Sequence, residues 1–124
     1  MKKFFILITF ISSLITVEAF SQDFDKGKKV YRKCKACHTL APEAKHRVGP
    51  NLYKVISRKA GSAENYRYSK AMKSSEITWN EKNISSYLIN PRKFIKGTKM
   101  AFAGLKKETD RENVIFYIKE MSKK

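Results

Sequence analysis

The only two cysteines of the chain, Cys34 and Cys37, stand in the pentapeptide CKACH, directly before His38. Two thiols and an imidazole at this spacing admit four chemistries. A disulfide across two intervening residues closes too small a loop to stabilise a fold much, and such pairs are usually reactive ones. A thioredoxin-like dithiol needs the motif to follow a strand in a βαβ setting, which this chain lacks. Structural zinc needs four ligands, and beyond these three side chains and His46 no second pair is present. In C-x-x-C-H, by contrast, the thiols add across two haem vinyl groups and the adjacent histidine is held against the iron. That option uses all three residues, and a helical turn from Cys34 to His38 sets them on one side. The expectation is one covalent haem c, anchored by Cys34 and Cys37, with His38 as proximal ligand.

A sixth iron ligand must then be found. Thioether paired with imidazole is the electron-carrier arrangement and raises the reduction potential. Met100 lies in KGTKMAFAG, a glycine-flanked loop in the C-terminal half. Its competitors read differently. Met121 falls on an apolar helical stripe, Met72 in a polar stretch as a loop or cavity residue, and His46 in a loop where hydrogen bonding suits it. Met100 is the expected distal ligand.

The chemistry depends on compartment. Lys2 and Lys3 precede an apolar run from Phe4 to Val17, with small residues at Ala19 and Ser21. This is the anatomy of a signal peptide, and the run is shorter than the roughly 20 residues of a membrane span. Residues 1–21 are therefore expected to be the signal and 22–124 a single mature domain in the periplasm. Cleavage after Ala19 is one alternative; an uncleaved anchor tethering the domain at the periplasmic face is the other. The whole chain has 27 Lys plus Arg against 11 Asp plus Glu, a formal charge of +16. Without Lys2, Lys3 and Glu18 the balance is 25 to 10, or +15. Such a field steers the protein towards acidic partners. Export argues against nucleic acid as that partner.

The elements that must position these residues are helical. The first helix is expected from Asp23 as N-cap, through Phe24, Val30 and Tyr31, to the cysteine motif. A second opens at Thr78-Trp-Asn-Glu81, read as a capping box, and runs to Ile89 before Pro91 stops it. Its residues Ile84, Tyr87 and Leu88 share one face. A third opens at Thr109-Asp-Arg-Glu112, read as a second box, with Val114, Ile115, Ile118 and Met121 on one stripe. Between them run His38 to Ile77 and Phe94 to Lys107, two long segments with little apolar periodicity. Loops of that length are uncommon unless they wrap something functional. Three short helices and two long loops imply a core completed by a large apolar ligand.

In order and spacing the chain resembles the class I c-type cytochromes, in particular the short mitochondrial type and its bacterial relatives. The likeness spans about Gly27 to Lys119 and includes CKACHT, RVGPNLY, SRKAGS, YRYSKAMK, ITW, YLINPRKFIKGTKM and FAGLKK. It implies a small all-α cytochrome c fold, with three main helices and long loops around one haem. By that resemblance Pro50 accepts a hydrogen bond from the proximal histidine, and Tyr87 lies near the ligand sulfur. Arg58, Tyr68, Trp79 and Thr98 match residues that hydrogen-bond the haem propionates. Gly27 matches a small residue where the first and last helices cross, near Tyr117. Lys33, Arg47, Arg92, Lys93, Lys99, Lys106 and Lys107 match positions ringing the exposed haem edge. The sequence departs from the family at Lys96, where proline is usual, and at Met72, where a polar residue is frequent.

The implied function is a monomeric one-electron carrier between a quinol–cytochrome c reductase and a terminal oxidase, with no small-molecule substrate. A haem peroxidase would need an open sixth position, which Met100 takes. A module binding anionic surfaces by charge alone would leave the haem constellation without a purpose.

Overall fold

The computed structural model describes residues 12–15 and 21–124. The expected signal peptide falls mostly on residues 1–11 and 16–20, outside the described residues. No described helix is long and apolar enough to cross a membrane.

The described chain is helical, with a single isolated bridge between Lys59 and Thr78 and no strand among the described residues. Helix α1 (Phe24–Lys35) starts where expected: the Asp23 carboxylate accepts from the Lys26 amide at 2.9 Å. Its buried residues Gly27, Tyr31 and Cys34 recur at helical spacing and form one face. Arg32, Lys33 and Lys35 in its last turn meet the negative end of the helix dipole. Two short helices, α2 (Lys70–Lys73) and α4 (Pro91–Phe94), interrupt the long segments. Helix α3 covers Glu81–Ile89 and α5 covers Glu108–Met121.

Both expected capping boxes need correction. The box of α3 is formed by Asn80 and Asn83, whose side chains each accept from the other's backbone N–H at 2.8 Å. Thr78 and Trp79 cannot begin the helix because the bridge to the 58–59 segment holds them extended. There the Trp79 amide donates to the Arg58 carbonyl at 2.9 Å. At α5 the N-cap is Lys107, with no side-chain cap, and Thr109 lies inside the first turn. Pro91 does end α3, yet it also begins α4, as its fixed φ and missing N–H suit a first helical position.

Helix α1 packs on α5 across Gly27. A Cβ there would sit 2.1 Å from the Asn113 carbonyl oxygen, so only glycine lets the two backbones approach this closely. Around the crossing, Tyr117 stacks at a tilt on Phe24 (4.9 Å) and Tyr31 (5.3 Å). The Asp23 amide donates to Asn113 Oδ1 at 2.8 Å. Helix α3 lies against the other side of α5, pinned at its exposed end by Lys119 and Glu81 at 2.5 Å. The stripe of α5 behaves as expected: Val114, Ile115 and Ile118 are buried, and Met121 is half-buried against the same core. Each such burial stabilises the fold by about 1.5–3 kcal/mol. Three helices thus form a frame, and the long segments close over its open face.

Candidate haem site

The open face is a cavity of about 320 Å³, within the range of sites that enclose small organic molecules. Cys34, Cys37, His38, Pro50, Arg58, Tyr68, Trp79, Tyr87, Thr98 and Met100, every residue expected at the site, line it. They arrive from α1, α3 and both long loops. Most of the remaining wall is aliphatic, from Leu52, Val55, Ile84, Leu88, Ile115 and Ile118 among others.

The first wall is the end of α1. The amides of Cys37 and His38 both turn back to the Cys34 carbonyl, at 3.0 and 2.9 Å, so both thiols and the imidazole line the same cavity. Both thiols are free. Burial, with Cys37 close by, pushes the Cys34 thiol up to about 11, while Lys33 pulls the other way.

His38 is held as a metal ligand should be. Its Nδ1 donates to the Pro50 carbonyl at 2.7 Å, which fixes the ring and leaves the Nε2 lone pair unprotonated. Burial lowers its pKa; the Pro50 bond works against that, and Arg58 adds to it. The ring is therefore neutral at neutral pH. Gly49 makes this geometry feasible. A Cβ on it would meet the imidazole at 2.3 Å, so the chain can pass over the ring only as glycine.

Met100 lines the same cavity from the second long loop. The Tyr87 hydroxyl donates to its sulfur at 3.3 Å and lies 3.1 Å from the Thr98 hydroxyl. Tyr87 has one proton and the thioether can only accept, so Thr98 donates to Tyr87. Burial raises the pKa of Tyr87 and keeps that proton in place. The rival ligands are placed elsewhere, with one exception. His46 is tied into the loops, accepting from the Asn51 amide at 2.9 Å and donating from Nε2 to the Glu64 carbonyl at 2.7 Å. Met121 belongs to the helix core. Met72 does line the cavity, on α2.

Of the polar set, Arg58 donates to the Asn51 carbonyl at 3.0 and 3.1 Å, and Tyr68 accepts from the Ala63 amide at 3.2 Å. Trp79 is buried against Tyr87 at 5.1 Å. Free thiols, a neutral imidazole with an open lone pair, a thioether and an apolar hollow between them fit haem c. Zinc has no comparable set: among the described residues no three His, Cys, Asp or Glu side chains are placed to hold a metal ion together.

All seven cations expected at the cavity edge are exposed. Lys33 and Lys99 stand on the rim of the cavity. Arg92 and Lys93 flank a shallow hollow with Ala101, Phe102 and Ala103, next to Met100. The Lys99 ammonium bonds the Arg67 carbonyl and lies 4.8 Å over the Tyr66 ring, while Lys106 reaches the Ile89 carbonyl at 2.6 Å. Arg47 reaches the Lys35 carbonyl at 3.2 Å, and Lys107 stands at the N-cap position of α5 without a side-chain cap bond.

Sequence reasoning missed two polar residues near the site. Buried Asn51 knots the first loop by donating to the carbonyls of Ala41 (2.7 Å) and Ala44 (3.2 Å). Buried Arg111 continues the apolar stripe of α5 one turn before Val114 and Ile115, and a charge in that register was the available signal.

Comparison with known proteins agrees with the geometry. The family profile described as cytochrome c matches residues 24–122. The chain is 50% identical over 103 residues to cytochrome c of Theileria parva, covering 82% of this chain and 89% of that protein. It is 48% identical over 98 residues to cytochrome c2 of Rhodoblastus acidophilus, covering 79% and 92%. Cytochrome c-550 of Nitrobacter winogradskyi is 42% identical over 101 residues, covering 82% and 93%. The chain belongs to the cytochrome c family of haem-based electron carriers, which bind haem c covalently through the motif seen here at Cys34, Cys37 and His38.

Proposed function

We propose that this chain is a periplasmic one-electron carrier whose haem c is ligated by His38 and Met100. The observation that carries the reading is the convergence of Cys34, Cys37, His38 and Met100 on one apolar cavity. Bound haem supplies the one-electron iron couple. The protein contributes the rest. Pro50 holds the His38 ring, Tyr87 aligns the Met100 sulfur, and the aliphatic walls exclude water and favour the less charged, reduced state. With His38 and Met100 both serving as ligands, no position would be left for a substrate, and the protein acts as a carrier rather than an enzyme. Arg58, Tyr68 and Trp79 offer donors to the carboxylates of the group, and Thr98 would join them by turning its one hydroxyl proton away from Tyr87.

The basic rim docks redox partners. The donor in this reading is a quinol–cytochrome c reductase, the acceptor a terminal oxidase, and the carrier itself a monomer. Export rests on Lys2, Lys3 and the apolar run from Phe4 to Val17, with residues 1–21 as the signal and 22–124 as the mature domain. An uncleaved anchor would put the same domain at the periplasmic face.

The test is direct. Protein purified from the periplasmic fraction should keep its haem through a denaturing gel, and Cys34→Ala with Cys37→Ala should not. Met100→Ala should lose the sulfur–iron absorption band and gain peroxidase activity, whereas Met72→Leu should keep the band. Loss of the band in Met72→Leu instead would overturn the ligand assignment.

A further inference from the structure

Arg111 is a buried cation, 8% exposed, that forms no ion pair among the described residues. Its guanidinium is spent on the polypeptide instead. One nitrogen donates to the carbonyls of Leu105 and Lys106, both at 2.9 Å, and Nε donates to the Ser85 hydroxyl at 3.0 Å. These partners belong to different parts of the frame. Ser85 is on α3, and Leu105 and Lys106 end the loop that carries Met100. Leu105 is held from its other side too: its amide donates to the Leu88 carbonyl at 2.7 Å, and its side chain is 2% exposed. Beyond it, α5 begins without a side-chain cap, and Arg111 ties the segment leading into it from inside the helix by donating to its carbonyls. At the upstream end of the same loop, Lys96 and Gly97 are both exposed.

We propose that Arg111 is a positioning residue for the sixth iron ligand. It clamps the downstream end of the Met100 loop to α3 and α5, and so sets how often the sulfur leaves the metal. The inference rests on Met100 being that ligand. A buried charge that satisfies two carbonyls is costly to remove, because the carbonyls are then left without partners. The clamp acts five residues from the sulfur, on the only stretch that joins it to the last helix.

The test uses the ferric holoprotein with imidazole as an external ligand, following the rate at which it displaces the methionine. Arg111→Leu should speed displacement at least about tenfold, the effect of losing one charged hydrogen bond from the closed loop. Arg111→Lys, which keeps the charge and part of the bonding, should fall between it and the wild type. If Arg111→Leu does not accumulate, the comparison of Arg111→Lys with wild type decides. A control separates positioning from general weakening. Phe24→Ala loosens the α1–α5 contact, far along the chain from the loop, and should lower thermal stability while changing the rate less than twofold. Equal acceleration by Phe24→Ala, or an unchanged rate in both Arg111 variants, would overturn the proposal. Met100→Ala should bind imidazole without the displacement step. If it behaves as wild type, the ligand assignment fails rather than the role of Arg111.

Discussion

Gly27→Ala sets two opposing effects against each other. Alanine is favoured over glycine in a helix interior by about 1 kcal/mol. Against this, its Cβ would stand 2.1 Å from the Asn113 carbonyl oxygen, where ordinary contact begins at 3.4 Å. The helices must part by about 1.3 Å along that line, the difference between those two distances. Overpacking of this kind costs about 1–3 kcal/mol. The shift also loosens the Tyr117 contacts with Phe24 and Tyr31, worth about 0.5–1.5 kcal/mol each, and stretches the Asp23–Asn113 bond, worth about 1 kcal/mol. The balance is a destabilisation of about 3 kcal/mol. For a domain of this size that lowers the midpoint of thermal unfolding by about 12–24 °C. Circular dichroism of the holoprotein at two scan rates measures it. An unchanged or higher midpoint would mean that propensity wins, and that the crossing gives way without strain.

The other predictions concern charge and redox. Tyr87→Phe removes the donor to the Met100 sulfur, makes the thioether a stronger electron donor to oxidised iron, and should lower the reduction potential. A net hydrogen bond of about 1 kcal/mol bounds the fall at about 40 mV, measured by voltammetry. Tyr31 is buried and its pKa is raised well above the ordinary tyrosine value of 10.0, chiefly by burial. Its unfolded form therefore ionises first, so its contribution to stability is complete below pH 10.0 and declines as the pH rises beyond that. Tyr31→Phe should flatten the loss of stability in alkaline denaturant titrations. Neutralising Lys33, Arg92 and Lys93 should slow electron transfer to an acidic acceptor and weaken its salt dependence, since the screening length falls from about 10 Å at 0.1 M to about 3 Å at 1 M. Neutralising Lys123 and Lys124 should do much less in the same stopped-flow assay; equal slowing would mean that no local docking face exists.

The helical frame was legible in the chain because its signals are local. Asp23 before Phe24, the spacing of Ile84, Tyr87 and Leu88, and the stripe from Val114 to Met121 each depend only on near neighbours. The caps were less legible, since a tertiary contact decided them. The bridge of Thr78 to Lys59 moved the start of α3 to Asn80. The short helices α2 and α4 are too brief to leave an apolar period. At the site, residue identity pointed to side chains that line the cavity, but not to how the polar groups share their hydrogens. Thr98 meets Tyr87, and Arg58 meets the Asn51 carbonyl, because chain geometry outside the motifs brings them there. Arg111 was overlooked for the same reason: its partners lie on α3 and on the Met100 loop.

Helix α1 packs on α5 and on no other helix of the described chain, although the two stand at opposite ends of the sequence. That pairing imposes an order of events. The first helix emerges early and has nothing to rest on until the last is made, so the nascent chain holds CKACH open throughout its synthesis. Closure then comes late and from a distance, which is slow for a small domain. Once it comes, Cys34 is buried and its thiol, pushed up to about 11, is a poor nucleophile. The interval before the ends of the chain meet is thus when Cys34 is most accessible and reactive, and cofactor attachment is expected in that interval. A domain with its motif helix paired to an early neighbour would have closed that window before anything could enter it.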